Sequence, residues 1–298
     1  MGRLALILMA ALVVAGCQSA APGTTVSSPT VAALQRPQAV ATAAPQRQKS
    51  QKRSTQRKRA RGKTRRHTAG TCVRAVAGAS SLTGRTITVR SAGDIKLRRR
   101  EVVLTFDDGP APGRTNRILT ALGNYGVRAT FFVVGRAAKA YPSLLKRVAR
   151  EGHTVAHHTY SHPNLRKLSH GRALAEVSRG ERAVARALSG SGLAAANFFR
   201  FPYLADSRVL RSAIRSRGSV IIDVDIDSKD YFKTSGSRVL ARTMARLRKR
   251  GRGIILFHDI HARTASMLPD LLATLRREGY KVVHLRAPGA SACPGATS

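Results

Sequence analysis

The sequence contains little of two residue classes, the aromatic and the acidic. Trp is absent, and aromatic residues make up only 5% of the 298 residues. Hydrophobic residues nevertheless account for 43%, so the chain can bury a sizeable core, which we expect to be built mainly from Val, Leu, Ile and Ala. The length suits one large domain or two small ones.

Acidic residues are scarce and unevenly placed. The chain has 15 Asp and Glu against 53 Lys and Arg, and the first acidic residue is Asp94. Residues 47–66 are almost entirely Arg, Lys, Gln, Ser and Thr, and residues 19–45 are mostly Ala, Thr, Ser, Pro and Gln. Segments of this composition bury too little apolar surface to fold. Residues 18–70 are therefore predicted to form a disordered tether.

The basic run of the tether lacks the interleaved aromatic residues that stack on bases, which disfavours a specific nucleic acid partner. Attraction of the tether to anionic envelope polymers or to a lipid surface fits its charge better. A solvated linker without a specific partner is the alternative interpretation.

The N-terminus has no apolar run long enough to span a bilayer. The uncharged run over 4–15 falls short of the roughly 20 residues that a spanning helix needs. It follows Arg3 and ends at VAGC over 14–17, a pattern that is typical of an export signal and resembles the lipobox of bacterial lipoproteins. The resemblance implies a signal peptide over 1–17 and lipid on Cys17, which would anchor the protein to the cell envelope on its periplasmic or extracellular face. An ordinary secretory signal is the alternative.

Only three cysteines are present. With lipid on Cys17, Cys72 and Cys293 remain, one on each side of the predicted folded region. In an oxidising compartment they can pair and tie the two ends of the domain together, and two unpaired thiols are the alternative.

Strand and helix patterns alternate from residue 101 to residue 285, which favours an α/β fold with parallel strands. No Gly-x-Gly-x-x-Gly follows a predicted strand, so a dinucleotide site has no support. Polar residues follow several strands, and a barrel, unlike an open sheet, gathers such strand ends on one face. Strands are predicted over 101–106, 129–134, 153–157, 197–201, 219–224, 253–257 and 281–285, and helices over 115–125, 142–151, 172–188, 208–217, 238–248 and 265–278.

Two short motifs suggest a metal site. Asp107 and Asp108 end the first predicted strand, where both side chains can reach one site. His158 and His162 are four residues apart, so on one helical turn both rings face the same side. An Asp-His-His set with open positions is a catalytic zinc arrangement that leaves room for water. The Glu of the His-Glu-x-x-His metalloproteases is absent, which argues against that class.

Four segments carry a more specific resemblance: TFDDGP over 105–110, HTYSHP over 158–163, RFPY over 200–203 and LFHD over 256–259. In this order, with ATFFVVG over 129–135, they resemble the polysaccharide deacetylases of carbohydrate esterase family four, the NodB homology domain. The resemblance implies a distorted (β/α)7 barrel over 101–287, preceded by an N-terminal extension over 71–100 and followed by a C-terminal tail over 288–298.

The resemblance also implies roles for individual residues. The metal ligands would be Asp108, His158 and His162, holding a divalent ion, Zn²⁺ first and Co²⁺ or another divalent ion as alternatives. The catalytic residues would be Asp107 as general base, Arg200 beside it, the backbone N–H of Tyr203 at the oxyanion, His258 as general acid and Asp230 as its carboxylate partner. The substrate contacts would be Pro202, Tyr203, Tyr231 and Leu256, with Leu256 lining a pocket for the acetyl methyl.

Two positions depart from the family pattern. Tyr231 stands where the family usually has Trp, which affects substrate fit more than chemistry. His157 precedes the first metal ligand and could compete with it, although its position on a strand favours a core or supporting role.

These features predict a monomeric metal-dependent hydrolase that removes N-acetyl groups from N-acetylglucosamine-type residues of an envelope or extracellular polysaccharide, with peptidoglycan favoured. Chitooligosaccharides and poly-N-acetylglucosamine are the alternative substrates. From a different class, a non-catalytic envelope lipoprotein that binds polyanions is the alternative.

Overall fold

Strands and helices alternate through residues 81–289, the part of the chain that the computed structural model describes. The strands are β1 Thr83–Thr88, β2 Glu101–Asp107, β3 Thr130–Val133, β4 Thr154–His157, β5 Phe198–Phe199, β6 Val220–Ile221, β7 Ile226–Asp227, β8 Gly253–His258 and β9 Lys281–Arg286. The α-helices are α1 Arg114–Asn124, α2 Gly135–Ala140, α3 Pro142–Arg150, α4 His170–Leu188, α5 Arg208–Ser216, α6 Gly236–Arg250 and α7 Ala262–Arg277.

The strands form a barrel that is open along one seam. All ladders are parallel, and β2 pairs with β3 on one side and with β8 on the other. The order around the barrel is β6-β5-β4-β3-β2-β8-β7, and within residues 81–289 no ladder joins β6 to β7. The prediction of a distorted (β/α)7 barrel is therefore confirmed.

Two further strands extend the sheet at the first residues of β2. β9 pairs with Glu101 and Val102, and β1 pairs with β9. β1 lies within the stretch 71–100 that sequence analysis treats as an extension, and it was not predicted because it buries only Ile87. The short elements α2 and β7 were not predicted either. β5 and β6 are shorter than expected, since only two residues of each enter a ladder.

Successive residues of the central barrel strands point to opposite faces of the sheet and enter different hydrophobic clusters. Val103 of β2 packs inside the barrel with Phe132, Ala156 and Phe198. Its neighbours on β2 pack against the surrounding helices, where Phe106 stacks between Phe131 and Phe257 at ring-centroid distances of 5.1 and 5.8 Å. Because both faces of the sheet are covered, every residue of β2 is buried.

Several predictions about the chain ends concern residues outside the described range. These are the signal peptide with Cys17, the tether over 18–70, and the pairing of Cys72 with Cys293. Between residues 81 and 289, no helix is both long enough and apolar enough to cross a bilayer.

Gly180 allows α4 to approach the segment that follows β4. A Cβ at this position would overlap the carbonyl group of Thr159, whereas a Cβ at Gly171 on the same helix would meet no atom within 4 Å. We expect Gly180→Ala to lower the free energy of unfolding by about 1–3 kcal/mol through overpacking. Gly171→Ala should leave it unchanged or raise it by up to about 1 kcal/mol, because Ala favours helix.

Urea unfolding of the two variants measures this difference directly. An unfolding midpoint for Gly180→Ala equal to that of the unsubstituted chain would contradict the close contact between α4 and Thr159.

Candidate active site

The candidate site lies at the carboxyl ends of the barrel strands. β2 places Asp107 opposite Phe132 of β3 and His258 of β8. Asp108 then turns away from the strand with a left-handed backbone (φ 79°), and its N–H donates to the Phe132 carbonyl at 3.1 Å. The resulting pocket of about 310 Å³ is lined by Asp107, Asp108, His158, His162, Phe201, Tyr203, Leu204, Asp227, Tyr231, Leu256 and His258.

Three of these side chains have the geometry of a metal-ligand set. Asp108, His158 and His162 each offer one ligand atom, and these atoms lie within 4.8 Å of one another. Asp108 Oδ1 is 3.2 Å from His162 Nε2 and 3.7 Å from His158 Nε2. This buried oxygen accepts no hydrogen bond from a residue in the described range.

The protonation of the set also suits a cation. His158 Nδ1 donates to the Arg200 carbonyl at 2.8 Å, which leaves the lone pair on Nε2 facing Asp108. Burial holds the pKa of His158 well below its usual value, so the ring is neutral as a ligand must be. Burial raises the pKa of Asp108, and a bound cation would favour the charged carboxylate. The residues present therefore fit a divalent metal ion.

The two histidines do not share a helical turn, so that part of the sequence interpretation is wrong. They lie in a loop in which Thr159 and His162 have positive φ values of 62° and 63°, which a right-handed helix excludes. The loop is held by the Gly135 N–H, which donates to the Thr159 carbonyl at 2.9 Å, and by Glu176, which accepts from Ser161. The two rings still meet, with centroids 5.0 Å apart.

Asp107 is buried and held from one side. Arg200 Nη1 donates to Asp107 Oδ1 at 2.8 Å, and the other carboxylate oxygen, Oδ2, lies 3.7 Å from His158 Nε2. Burial raises the pKa of Asp107 to about 6, although the positive charge of Arg200 opposes this shift. A carboxylate with a pKa near neutrality and one oxygen facing the metal-ligand set can accept a proton there.

His258 is paired with a fully buried carboxylate. Its Nδ1 is 2.7 Å from Asp230 Oδ1, and its backbone N–H donates to Asp230 Oδ2 at 2.8 Å. Thr264 Oγ1 donates to the same Oδ2 at 2.6 Å. Burial lowers the pKa of His258, but the hydrogen bond and charge of Asp230, with smaller contributions from Asp107 and Asp108, outweigh burial and raise it to about 9.

Aromatic side chains form two sides of the pocket mouth. The Tyr203 ring is two-thirds exposed and lies 4.6 Å from the His162 ring, and the Tyr203 backbone is left-handed (φ 59°). On the other side the Tyr231 ring lies edge-on 5.5 Å from His258, and its hydroxyl donates to Asp227 Oδ2 at 2.9 Å. Tyr231 therefore forms an aromatic wall next to His258.

Leu256 lines the pocket as expected, but Pro202 is buried and does not line it. Phe201 and Leu204, on either side of the Pro-Tyr pair, line it instead, and so does Asp227. No site role is predicted from the sequence for these three residues. Asp227 carried a usable signal, because it is an acidic residue shortly after the predicted strand over 219–224 and three positions before Asp230.

His157 and Asp259 are buried next to the site without belonging to the metal-ligand set. The His157 ring packs 5.3 Å from Phe199, and burial lowers its pKa to about 4, in agreement with a core position. Asp259 accepts a hydrogen bond from Thr115 Oγ1 at 2.6 Å, and burial raises its pKa to about 7. Its carboxylate fills the space next to Gly109, where a Cβ would overlap it.

The chain has relatives among known proteins. The sequence profile for polysaccharide deacetylase matches residues 94–221. A chitooligosaccharide deacetylase of Bradyrhizobium is 30% identical over 207 residues, which are 65% of this chain and 92% of that protein. The chain belongs to the polysaccharide deacetylase family. Deacetylases of this family depend in general on a divalent metal.

Two further relatives show how much of each chain the similarity covers. The peptidoglycan-N-acetylmuramic acid deacetylase of Bacillus subtilis is 33% identical over 62% of this chain, but the match spans only 38% of that longer protein. The solved family 4 carbohydrate esterase from Streptomyces lividans, in complex with acetate, is 35% identical with a TM-score of 0.55, covering 61% of this chain and 91% of that one. The family profile ends before Asp230 and His258, so their assignment depends on the geometry described above.

The ligand set predicts which single substitution removes the metal. His162→Ala deletes one of the three side chains that fit a metal ion, and we expect divalent metal affinity to fall at least roughly 100-fold. His170→Ala removes an exposed histidine at the start of α4 and should leave the affinity unchanged. Calorimetric titration of the metal-stripped proteins with Zn²⁺ checks both, and equal affinities would exclude His162 as a ligand.

Proposed function

We propose that the protein is a metal-dependent hydrolase that removes N-acetyl groups from N-acetylglucosamine-type residues of peptidoglycan. One observation carries the proposal: Asp107, held by Arg200, and His258, held by Asp230, both line the pocket that contains the Asp108–His158–His162 set. The names of the relatives support it, since one is a peptidoglycan-N-acetylmuramic acid deacetylase and another a chitooligosaccharide deacetylase.

Zn²⁺ is the proposed ion, because one carboxylate and two neutral imidazoles are the ligands of catalytic zinc sites. When bound, it supplies Lewis-acid activation of water and of the acetyl carbonyl. Asp108, His158 and His162 would hold it, and the proton transfers belong to residues of the chain.

Asp107 is the proposed general base. Its Oδ1 is occupied by Arg200, so Oδ2, which faces the metal-ligand set, is the oxygen that takes a proton from the attacking water. Arg200 keeps the carboxylate oriented and favours its charged form. Substituting an amide at this position would remove the proton acceptor while keeping the shape of the side chain.

His258 is the proposed general acid. Asp230 binds Nδ1, so Nε2 is the nitrogen left to deliver a proton to the departing amine. A pKa of about 9 keeps the imidazole protonated at neutral pH. Water adds to the amide carbonyl, the carbon–nitrogen bond breaks, and acetate and a free amine leave. Two groups with separated pKa values can supply the base and the acid for one such reaction.

The remaining pocket residues are proposed to hold the substrate. The backbone N–H of Tyr203, on its left-handed residue, would donate to the oxyanion. Leu256 would contact the acetyl methyl, and the aromatic faces of Tyr203 and Tyr231, which are 67% and 43% exposed, would pack against the sugar.

Peptidoglycan is favoured because the predicted signal over 1–17 would deliver the protein to the cell envelope, where relatives named for peptidoglycan act. The proposed location is the periplasmic or extracellular face of the cell envelope, with lipid on Cys17 as the membrane anchor and the protein as a monomer. Chitooligosaccharides are the second candidate, since the Bradyrhizobium relative is matched over nearly its whole length.

Asp107→Asn tests the catalytic assignment. We expect acetate release to fall by about 10²–10⁴-fold, because the general base is lost, while Zn²⁺ affinity stays within a few-fold. Acetate is measured with peptidoglycan, chitooligosaccharides and poly-N-acetylglucosamine as parallel substrates. Full activity of Asp107→Asn would exclude the base assignment, and a metal-loaded parent chain that releases no acetate from any substrate would favour the non-catalytic alternative.

Asp230→Asn tests the acid through its pH dependence. Without the Asp230 carboxylate the pKa of His258 falls, because burial is then opposed only by the smaller contributions of Asp107 and Asp108, so the proton needed by the leaving amine is lost at lower pH. The alkaline limb of the kcat profile should therefore move to lower pH. Asp227→Asn, which removes a carboxylate bonded to Tyr231 instead of His258, should move it less. Identical profiles for Asp230→Asn and the parent chain would exclude His258 as the acid.

A further inference from the structure

Four arginines converge at the end of the barrel opposite the candidate active site. The segments that lead into β2, β8 and β9 meet there and enclose a recess of about 500 Å³. The recess is lined by Arg99, Arg100, Arg248, Gly251, Arg277, Glu278, Gly279 and Tyr280. We call this feature the arginine recess.

The arginine recess carries a positive charge that its own carboxylate does not balance. Glu278 is the one acidic residue in its lining, and it pairs with Arg248 at 2.6 and 3.1 Å. Arg100 Nη1 donates to the Glu278 backbone carbonyl at 2.8 Å, which neutralises no charge. Arg277 donates a hydrogen bond to the Thr274 hydroxyl, and within residues 81–289 neither Arg277 nor Arg99 forms a salt bridge.

Helix dipoles explain only part of this arrangement. Arg248 and Arg277 lie in the last turns of α6 and α7, where cations favour the helix end. Arg99 and Arg100 lie in the segment before β2 and have no such reason to be there. Arg100 also has a left-handed backbone (φ 61°), fixed by its N–H donating to Gly251 at 2.7 Å and its carbonyl accepting from Lys281 at 2.8 Å. Unfavourable backbone conformations that the fold retains concentrate at functional sites.

A second recess at the same end of the barrel provides an internal comparison. Its volume is about 540 Å³, and its basic residues are Lys96, Arg250 and Arg252. There Asp225 pairs with Arg250, and Asp223 pairs with Arg211. Its lining has two carboxylates for three cations, whereas the arginine recess has one carboxylate for four cations, so the larger excess of cations belongs to the arginine recess.

We propose that the arginine recess binds the phosphate groups of an anionic polymer. The planar guanidinium fork matches phosphate oxygens with two parallel hydrogen bonds, and a polyvalent oxyanion relieves the repulsion among neighbouring arginines. Because the recess faces away from the strand ends that carry Asp107 and His258, a polymer held there leaves the catalytic pocket open. The site is independent of the proposed deacetylase activity.

The test uses the full chain with Arg99→Gln and Arg277→Gln combined, since neither side chain pairs with Glu278. The matched control combines Arg182→Gln on α4 with Arg252→Gln in the second recess, which removes the same charge and leaves the basic tether unchanged. The probes are tripolyphosphate and polyglutamate, whose binding is measured by calorimetry, and phosphatidylglycerol vesicles, whose binding is measured by sedimentation.

We expect tripolyphosphate affinity to fall roughly tenfold for each lost charge-assisted contact in the recess variant, and to change little in the control. Lysine at both recess positions should restore only part of the affinity, because the fork is lost while the charge remains. An unchanged thermal unfolding midpoint shows that the glutamine variant is folded. If that variant misfolds, the lysine variant is compared with the parent chain in its place. Three outcomes would each overturn the proposal. The recess variant and the control could lose equal tripolyphosphate affinity, the recess substitutions could weaken polyglutamate binding more than tripolyphosphate binding, or they could weaken only the binding of vesicles.

Discussion

The buried guanidinium of Arg200 connects the parts of the candidate site. It donates to Asp107 Oδ1 and Thr105 Oγ1 on β2 and to the Ile222 carbonyl after β6, and it lies 4.1 Å over the Phe132 ring. The carbonyl of the same residue fixes His158. Removing one partner of a buried ion pair costs about 3–5 kcal/mol, so Arg200 and Asp107 depend on each other for burial. One residue thereby orients both the Asp107 carboxylate and a histidine of the candidate metal site.

The barrel places these groups together because its strands are parallel. Asp107, His158 and His258 all stand at carboxyl ends of strands or immediately beyond them, although they are far apart in sequence. Hydrogen-bonded register aligns Asp107 with His258, and a loop held by Glu176 brings His162 to the same edge. The arrangement of the candidate site follows from strand direction and register more than from any single motif.

Sequence patterns predicted the elements that bury continuous apolar runs, such as β2 and β8, because both faces of those strands are covered. They failed for β1, whose outward residues are polar, and for β7, which has only two residues in a ladder. Helical spacing predicted that the His158 and His162 rings lie together, and they do, but in a loop instead of on a helical turn. Positive φ at Thr159 depends on contacts with α2 and α4, which no local pattern contains.

The seam between β6 and β7 has a consequence for a chain-like substrate. A ladder fixes neighbouring strands about 4.8 Å apart, and within residues 81–289 this constraint is missing between these two strands. Leu204, after β5, and Asp227, at the end of β7, line the pocket on opposite sides of that break. The ring of paired strands around the pocket is therefore interrupted between these two residues. For the polysaccharide that we propose as substrate, this interruption would let a sugar in the middle of a long chain approach from the side, without a chain end being threaded through a closed ring.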